Sequence, residues 1–132
     1  MKINQILTEG YIAFELDKKD RSHLLEKFPP KYSDVIGHHI TYKFGVSSDT
    51  KLPKGSKNIE VVGYADDGDS IEALVVAVNG STTRPDGKIY HITWSLDREK
   101  GRKPVHSNAL IEKNGFTRID PIKISAKPEF FK

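Results

Sequence analysis

His39-Ile40-Thr41-Tyr42 and His91-Ile92-Thr93-Trp94 are two copies of one pattern, His-Ile-Thr-aromatic. The chain has 5 histidines, and only these two are followed two residues later by a threonine. In an extended strand, successive side chains point to opposite faces. Each copy therefore sets a His and a Thr side by side on one face, and an Ile and a ring on the other. Two such strands brought to face each other would form a pocket with two imidazoles and two hydroxyls.

Imidazole has the ordinary side-chain pKa nearest neutrality. A neutral ring can take a proton from a nucleophile, and an imidazolium can give one to a leaving oxygen. Each role typically contributes about 10²–10⁴-fold in rate. A hydroxyl two residues along can donate to a non-bridging phosphate oxygen and stabilise charge developing there. Phosphodiester cleavage uses both proton transfers, on opposite sides of phosphorus. His39, Thr41, His91 and Thr93 are therefore the expected catalytic group. Strict alternation adds Lys43 and Ser95 to the same face as pocket-lining residues. It assigns Ile40, Tyr42, Phe44, Ile92, Trp94 and Leu96 to the core. The competing reading is of two ordinary half-buried strands with incidental histidines. His38 points away from His39 in a regular strand, and His23 and His106 lack the threonine, so all three read as structural or surface residues.

Outward from the motifs, strands dominate. Tyr11 to Leu16 reads as a strand, and Arg21 to Phe28 as a helix with Asp20 as a possible N-cap, stopped by Pro29-Pro30. The first motif strand runs from about His38 to Val46. Ile59 to Ala65 and Ile71 to Val78 form a hairpin around Asp66-Asp67-Gly68-Asp69, a plain turn that lacks the Glu of a calcium-binding loop. After a polar loop comes the second motif strand, Ile89 to Leu96. Ser107-Asn108 is set to cap a helical turn, and Phe116 to Ile124 reads as an edge strand because of Pro121. Ile3, Ile6 and Leu7 have helical spacing ahead of Gly10.

The 132 residues suit one domain. Hydrophobic residues make up 36% and charged residues 30%, ordinary values for a soluble chain. No apolar run reaches membrane-spanning length, and no secretory signal pattern stands at the start, so no membrane association is expected. The absence of cysteine excludes disulfides, cysteine zinc sites and a cysteine nucleophile, and fits a reducing cytoplasm. No His-Glu-x-x-His pattern is present, so no metal and no other cofactor are expected. The net charge of +3 suits an anionic ligand. No obligate protein partner is evident.

The paired His-x-Thr strands resemble the 2H phosphoesterase superfamily, which includes the LigT-like RNA 2',3'-cyclic phosphodiesterases. The resemblance rests on Gly37-His38-His39-Ile40-Thr41 and Ile89-Tyr90-His91-Ile92-Thr93, and on a strand and helix preceding the first motif. It implies a bilobal α+β fold, antiparallel-rich sheets with one or two helices and a central cleft. It also implies metal-independent cleavage, with His39 and His91 as the acid–base pair and Thr41 and Thr93 on the phosphate. The chain is shorter than a typical member, with a tight interval of 52 residues between motifs (39 to 91). The small size and the segment from Asp97 to Leu110 look most like the compact phage anti-CBASS nucleases, which degrade cyclic di- and trinucleotide signals. Leu7-Thr8-Glu9-Gly10 looks like a site cut by the head-maturation proteases of T4-like phages, but the favoured reading is a helical cap.

The implied substrate is then a cyclic oligonucleotide in a bacterial host cytoplasm. The alternatives are an RNA 2',3'-cyclic phosphate in RNA end repair, or a non-catalytic nucleotide- or RNA-binding module. A nucleobase needs a ring to stack on or a carboxylate to read its amine. Tyr11 is the first candidate, and its other reading is a strand-end core ring. Asp120, Phe130 and Phe131 follow.

Overall fold

The computed structural model describes residues 9–53 and 58–132. Most of the Lys2 to Glu9 segment, including the expected helical turn, lies outside the described residues. The fold is α+β, with two helices and a strongly curled antiparallel sheet, a half-barrel. In chain order the elements are β1 (Glu9–Leu16), α1 (Lys18–Lys27), β2 (Asp34–Val35), β3 (His39–Ser47), β4 (Ile59–Asp66), β5 (Ile71–Val78) and β6 (His91–Leu96). A 3-10 turn (Arg98–Lys100) leads to α2 (His106–Asn114), β7 (Thr117–Ile124) and β8 (Ala126–Phe131). The sheet order is β7-β4-β5-β6-β3-β1-β8, with β2 pairing beside β6. The motif strands β3 and β6 are neighbours in one sheet, not opposed strands across a cleft between two sheets.

β5 is buried along its whole length, as its Ile-Glu-Ala-Leu-Val-Val-Ala-Val sequence suits. Its alternate residues serve two cores. Leu74, Val76 and Val78 pack with Phe14, Ile40, Ile92, Trp94 and Leu24 of α1. Ile71, Ala73 and Val75 pack with Leu96 and with Leu110 and Ile111 of α2. The two helices thus cover opposite faces of the sheet.

α1 begins earlier than Arg21, because Asp17 is the N-cap and accepts from Lys19 N and Asp20 N. Asp20 instead accepts from Ser125 N at 2.7 Å. The helix is fastened to the second motif by Trp94 Nε1, which donates to the Phe28 carbonyl at 2.8 Å. Gly37 has a φ of 60°, and a Cβ there would meet the Trp94 ring at 3.0 Å. Glycine is therefore required where the chain turns over that ring into β3.

The Asp66–Asp69 segment is a turn in which Asp67 accepts from the backbone of Asp69, Ser70 and Ile71. β7 is an edge strand, as Pro121 requires. The tail is a strand too: β8 pairs with β1 and forms the other edge. Among the described residues no helix is long and apolar enough to cross a membrane.

Candidate active site

β3 and β6 are joined antiparallel at one residue pair, Ile40 with Ile92. In that register His39 lies on the Thr93 side and Thr41 on the His91 side. The two histidines take one diagonal of a four-cornered patch, and the two threonines take the other. All four line one cavity of about 280 Å³. The other three histidines lie elsewhere. His23 and His38 are exposed, and His106 Nδ1 accepts from Lys103 N.

The floor repeats as well. Across β1, Thr41 opposes Ala13, and across β5, Thr93 opposes Ala73. Both alanines are fully buried. A methyl beside each hydroxyl leaves space that a larger side chain would fill.

Both motif strands then bulge at the same place. β1 pairs Ala13 with Thr41 and Ile12 with Lys43, so Tyr42 is the extra residue. β5 pairs Ala73 with Thr93 and Glu72 with Ser95, so Trp94 is the extra residue. A bulge sets two residues against one and shifts the alternation that follows. Three expectations change for this reason. Lys43 is exposed and does not line the cavity, whereas Phe44, expected in the core, lines it with half its surface exposed. Ser95 is fully buried away from the cavity, where its hydroxyl donates to the Glu72 carboxylate and accepts from Tyr32 N. Glu72 also accepts from Tyr64 Oη and Lys31 N, so Ser95 belongs to a buried polar network joining β5 to the segment after α1.

The two histidines differ. A carbonyl oxygen can only accept, so the 2.8 Å contact from His91 Nδ1 to the Ile89 carbonyl places a proton on Nδ1. Nε2 is then the nitrogen left for chemistry. Burial pushes the His91 pKa down to about 4, and Arg84 and His39 push it the same way. His91 is thus neutral with a free lone pair at neutral pH. Burial also lowers the His39 pKa, followed by the neighbouring His38, while Glu15 opposes the shift. The His39 ring stacks on Phe131 at 5.4 Å and packs on Tyr11 at 5.5 Å. Tyr11 lines the cavity and contacts both Phe44 and Phe131.

The hydroxyls differ too. Thr41 Oγ1 makes no hydrogen bond among the described residues. Thr93 Oγ1 donates to the Pro104 carbonyl at 3.2 Å and lies 2.9 Å from Ser107 Oγ. Ser107 therefore does not cap α2, whose N-cap residue is Val105 without a side-chain bond. To reach a phosphate, the Thr93 proton would exchange the Pro104 carbonyl for a phosphate oxygen, with Ser107 still donating to Thr93.

Asp120 is exposed on the edge strand β7, three strands away from β6, and takes no part in the cavity. Arg84 and Asn108 do line it. Neither belongs to a periodic pattern, and in the sequence they read only as a loop residue and a helix-cap residue. Among the described residues no group of three or more His, Asp or Glu side chains is placed to hold a metal ion. No protein-family model, no curated protein and no solved structure matches the chain.

Proposed function

We propose that this protein is a 2H-type phosphodiesterase that cleaves 3'–5' linkages of cyclic di- or trinucleotides. The observation that carries the reading is the diagonal His–Thr quartet in one cavity. A phosphorus atom over its centre has an imidazole on each side, as in-line displacement needs, and hydroxyls toward its non-bridging oxygens.

His91 is the base in this scheme. Its free Nε2 takes the proton of the ribose 2'-hydroxyl, the 2' oxygen bonds to phosphorus, and the P–O5' bond breaks. His39 is the acid. Its ring gains a proton as the anion binds, since a nearby negative charge favours the imidazolium. It gives that proton to the departing 5' oxygen. The products are a 2',3'-cyclic phosphate and a 5'-hydroxyl. Water can then open the cyclic phosphate with the two rings in exchanged roles.

The cavity is close to the roughly 300 Å³ at which small-molecule pockets begin, enough for one phosphodiester and its adjoining sugar. Asn108 also lines a second cavity of about 350 Å³. Within the resemblance to phage enzymes, the role is counter-defence in a bacterial cytoplasm, by removal of a cyclic oligonucleotide alarm signal.

The test is incubation, with EDTA present, with cyclic GMP–AMP, cyclic tri-AMP and an RNA ending in a 2',3'-cyclic phosphate. Loss of a cyclic oligonucleotide supports the reading. Opening of the RNA end alone would replace it with RNA end repair, and binding of all three without turnover would replace it with a binding module.

A further inference from the structure

Arg84 is 2% exposed, among the most buried charged residues of the chain. It stands on a tight hairpin tip, where Arg84 N donates to the Lys88 carbonyl at 2.7 Å. Two of its three nitrogens are committed. Nε donates to Asp86 Oδ1 at 3.1 Å, and Nη2 donates to Asp86 Oδ2 at 2.6 Å. Asp86 is itself fixed by accepting from Lys88 N at 3.0 Å. The fork orients the guanidinium plane, whose carbon lies 5.8 Å from the Phe44 ring centre.

The third nitrogen is not committed. Nη1 is buried and has no hydrogen-bond partner. Among the described residues only one other buried side-chain polar atom shares that condition, Asn108 Oδ1. Both residues line the cavity over the His–Thr quartet. Buried polar groups are nearly always satisfied, and a guanidinium with unused donors is among the costliest exceptions. Both exceptions belong to residues that line this cavity, which points to a ligand there as what completes the hydrogen bonding. Arg84 is also the cavity's permanently charged residue. The threonines offer only neutral dipoles.

We propose that Arg84 is an anion-binding residue whose Nη1 donates to a non-bridging oxygen of the phosphate over the quartet. The identity of that phosphate as a diester rests on the function proposed above, but the anion site itself does not. Asp86 is a positioning residue, because it acts only by holding the guanidinium plane. Arg84 thereby supplies a hold on phosphate that does not depend on the protonation of either histidine.

The test is a titration of the whole chain with inorganic phosphate and with a 2'-deoxy cyclic dinucleotide, which keeps the diester and lacks the attacking hydroxyl. Arg84→Gln should weaken binding of both by about tenfold or more, the usual worth of a charge-assisted hydrogen bond. Arg84→Lys, with its charge kept and its fork lost, should fall between. If Arg84→Gln does not fold, the wild-type protein still decides the matter. Phosphate should shift the ¹⁵N resonances of the Arg84 guanidinium together with those of the His39 ring. An Arg84→Gln variant binding within twofold of wild type, an unmoved Arg84 signal while His39 responds, or no binding of either anion would each overturn the proposal. Arg84-dependent binding without cleavage of any diester would keep the anion site and remove the proposed enzyme. Cleavage with an unchanged KM in Arg84→Gln would do the reverse.

Discussion

Ile40 and Ile92 pair with each other across β3 and β6, and they are the same position in the two tetrapeptides. The pair therefore marks a local twofold axis. The relation extends outward from it. Phe14 pairs with Ile40 as Leu74 pairs with Ile92, and Ala13 pairs with Thr41 as Ala73 pairs with Thr93. The bulges at Tyr42 and Trp94 are related in the same way. Twofold related strands bring each histidine to the opposite end of the quartet from the other, which suits a displacement with a base at one end and an acid at the other.

The first consequence is kinetic. His39→Ala and His91→Ala should each lower kcat by about 10²–10⁴-fold, and the double variant should be little worse than the poorer single one, because the proposed mechanism uses the two as a unit. Thermal midpoints within a few degrees of wild type would show that the loss is not unfolding. A single variant that retained near wild-type turnover would exclude the two-histidine mechanism.

The second concerns pH and rate. With His91 required neutral and His39 required charged, kcat/KM should be bell-shaped. The acid limb reflects His91, with a pKa of about 4. The alkaline limb reflects His39, lowered from its ordinary 6.5. The maximum is expected between about 4 and 6.5. A profile that rises continuously beyond pH 8 would contradict the assignment.

The third concerns pH and stability. A histidine whose pKa is lowered on folding favours the unfolded state once it protonates. Stability from keeping His91 neutral is present above the unfolded pKa of about 6.5 and is lost as pH falls toward 4. A shift of this size corresponds to roughly 3 kcal/mol, and His39 adds loss in the same direction. Asp66, Asp67 and Asp86 are held below the ordinary carboxylate range, so their contributions fade only below about pH 4. Urea midpoints should drop between pH 7 and pH 4.5, and His91→Gln should flatten that drop. An equal drop in both proteins would show that His91 is not the source.

The alternation of side chains in a strand was enough to single out His39, Thr41, His91 and Thr93, because all four precede the bulges. It fails one residue later. Nothing in Tyr42-Lys43-Phe44 or Trp94-Ser95-Leu96 announces an extra residue, since a bulge depends on the partner strand. Lys43 and Ser95 were accordingly misplaced, and Phe44 was lost from the cavity. Arg84 and Asn108 were illegible for another reason. They reach the cavity from a hairpin tip and a helix start, whose positions follow from tertiary packing. Tyr11 was legible because it lies near the start of the strand that pairs with the first motif. Asp120 was misplaced because the order of strands in the sheet, which puts β7 at the edge, cannot be read from their order in the chain.

The fourth prediction separates stability from chemistry at Ser95. Ser95→Ala removes a donor to Glu72 and an acceptor for Tyr32 N in a fully buried place. It should cost about 1–3 kcal/mol of stability and leave kcat/KM within twofold of wild type. A large loss of kcat/KM in a folded Ser95→Ala protein would put Ser95 back in the active site.

The division of labour between the two imidazoles is the core of the proposed mechanism, and a change of leaving group tests it most directly. In a cyclic dinucleotide whose bridging 5' oxygen is replaced by sulfur, the leaving thiolate needs no proton. His39→Ala should then cleave this substrate at close to the wild-type rate, while His91→Ala stays inactive because the 2'-hydroxyl still needs its base. Rescue of His91→Ala instead, or rescue of neither variant, would contradict the account.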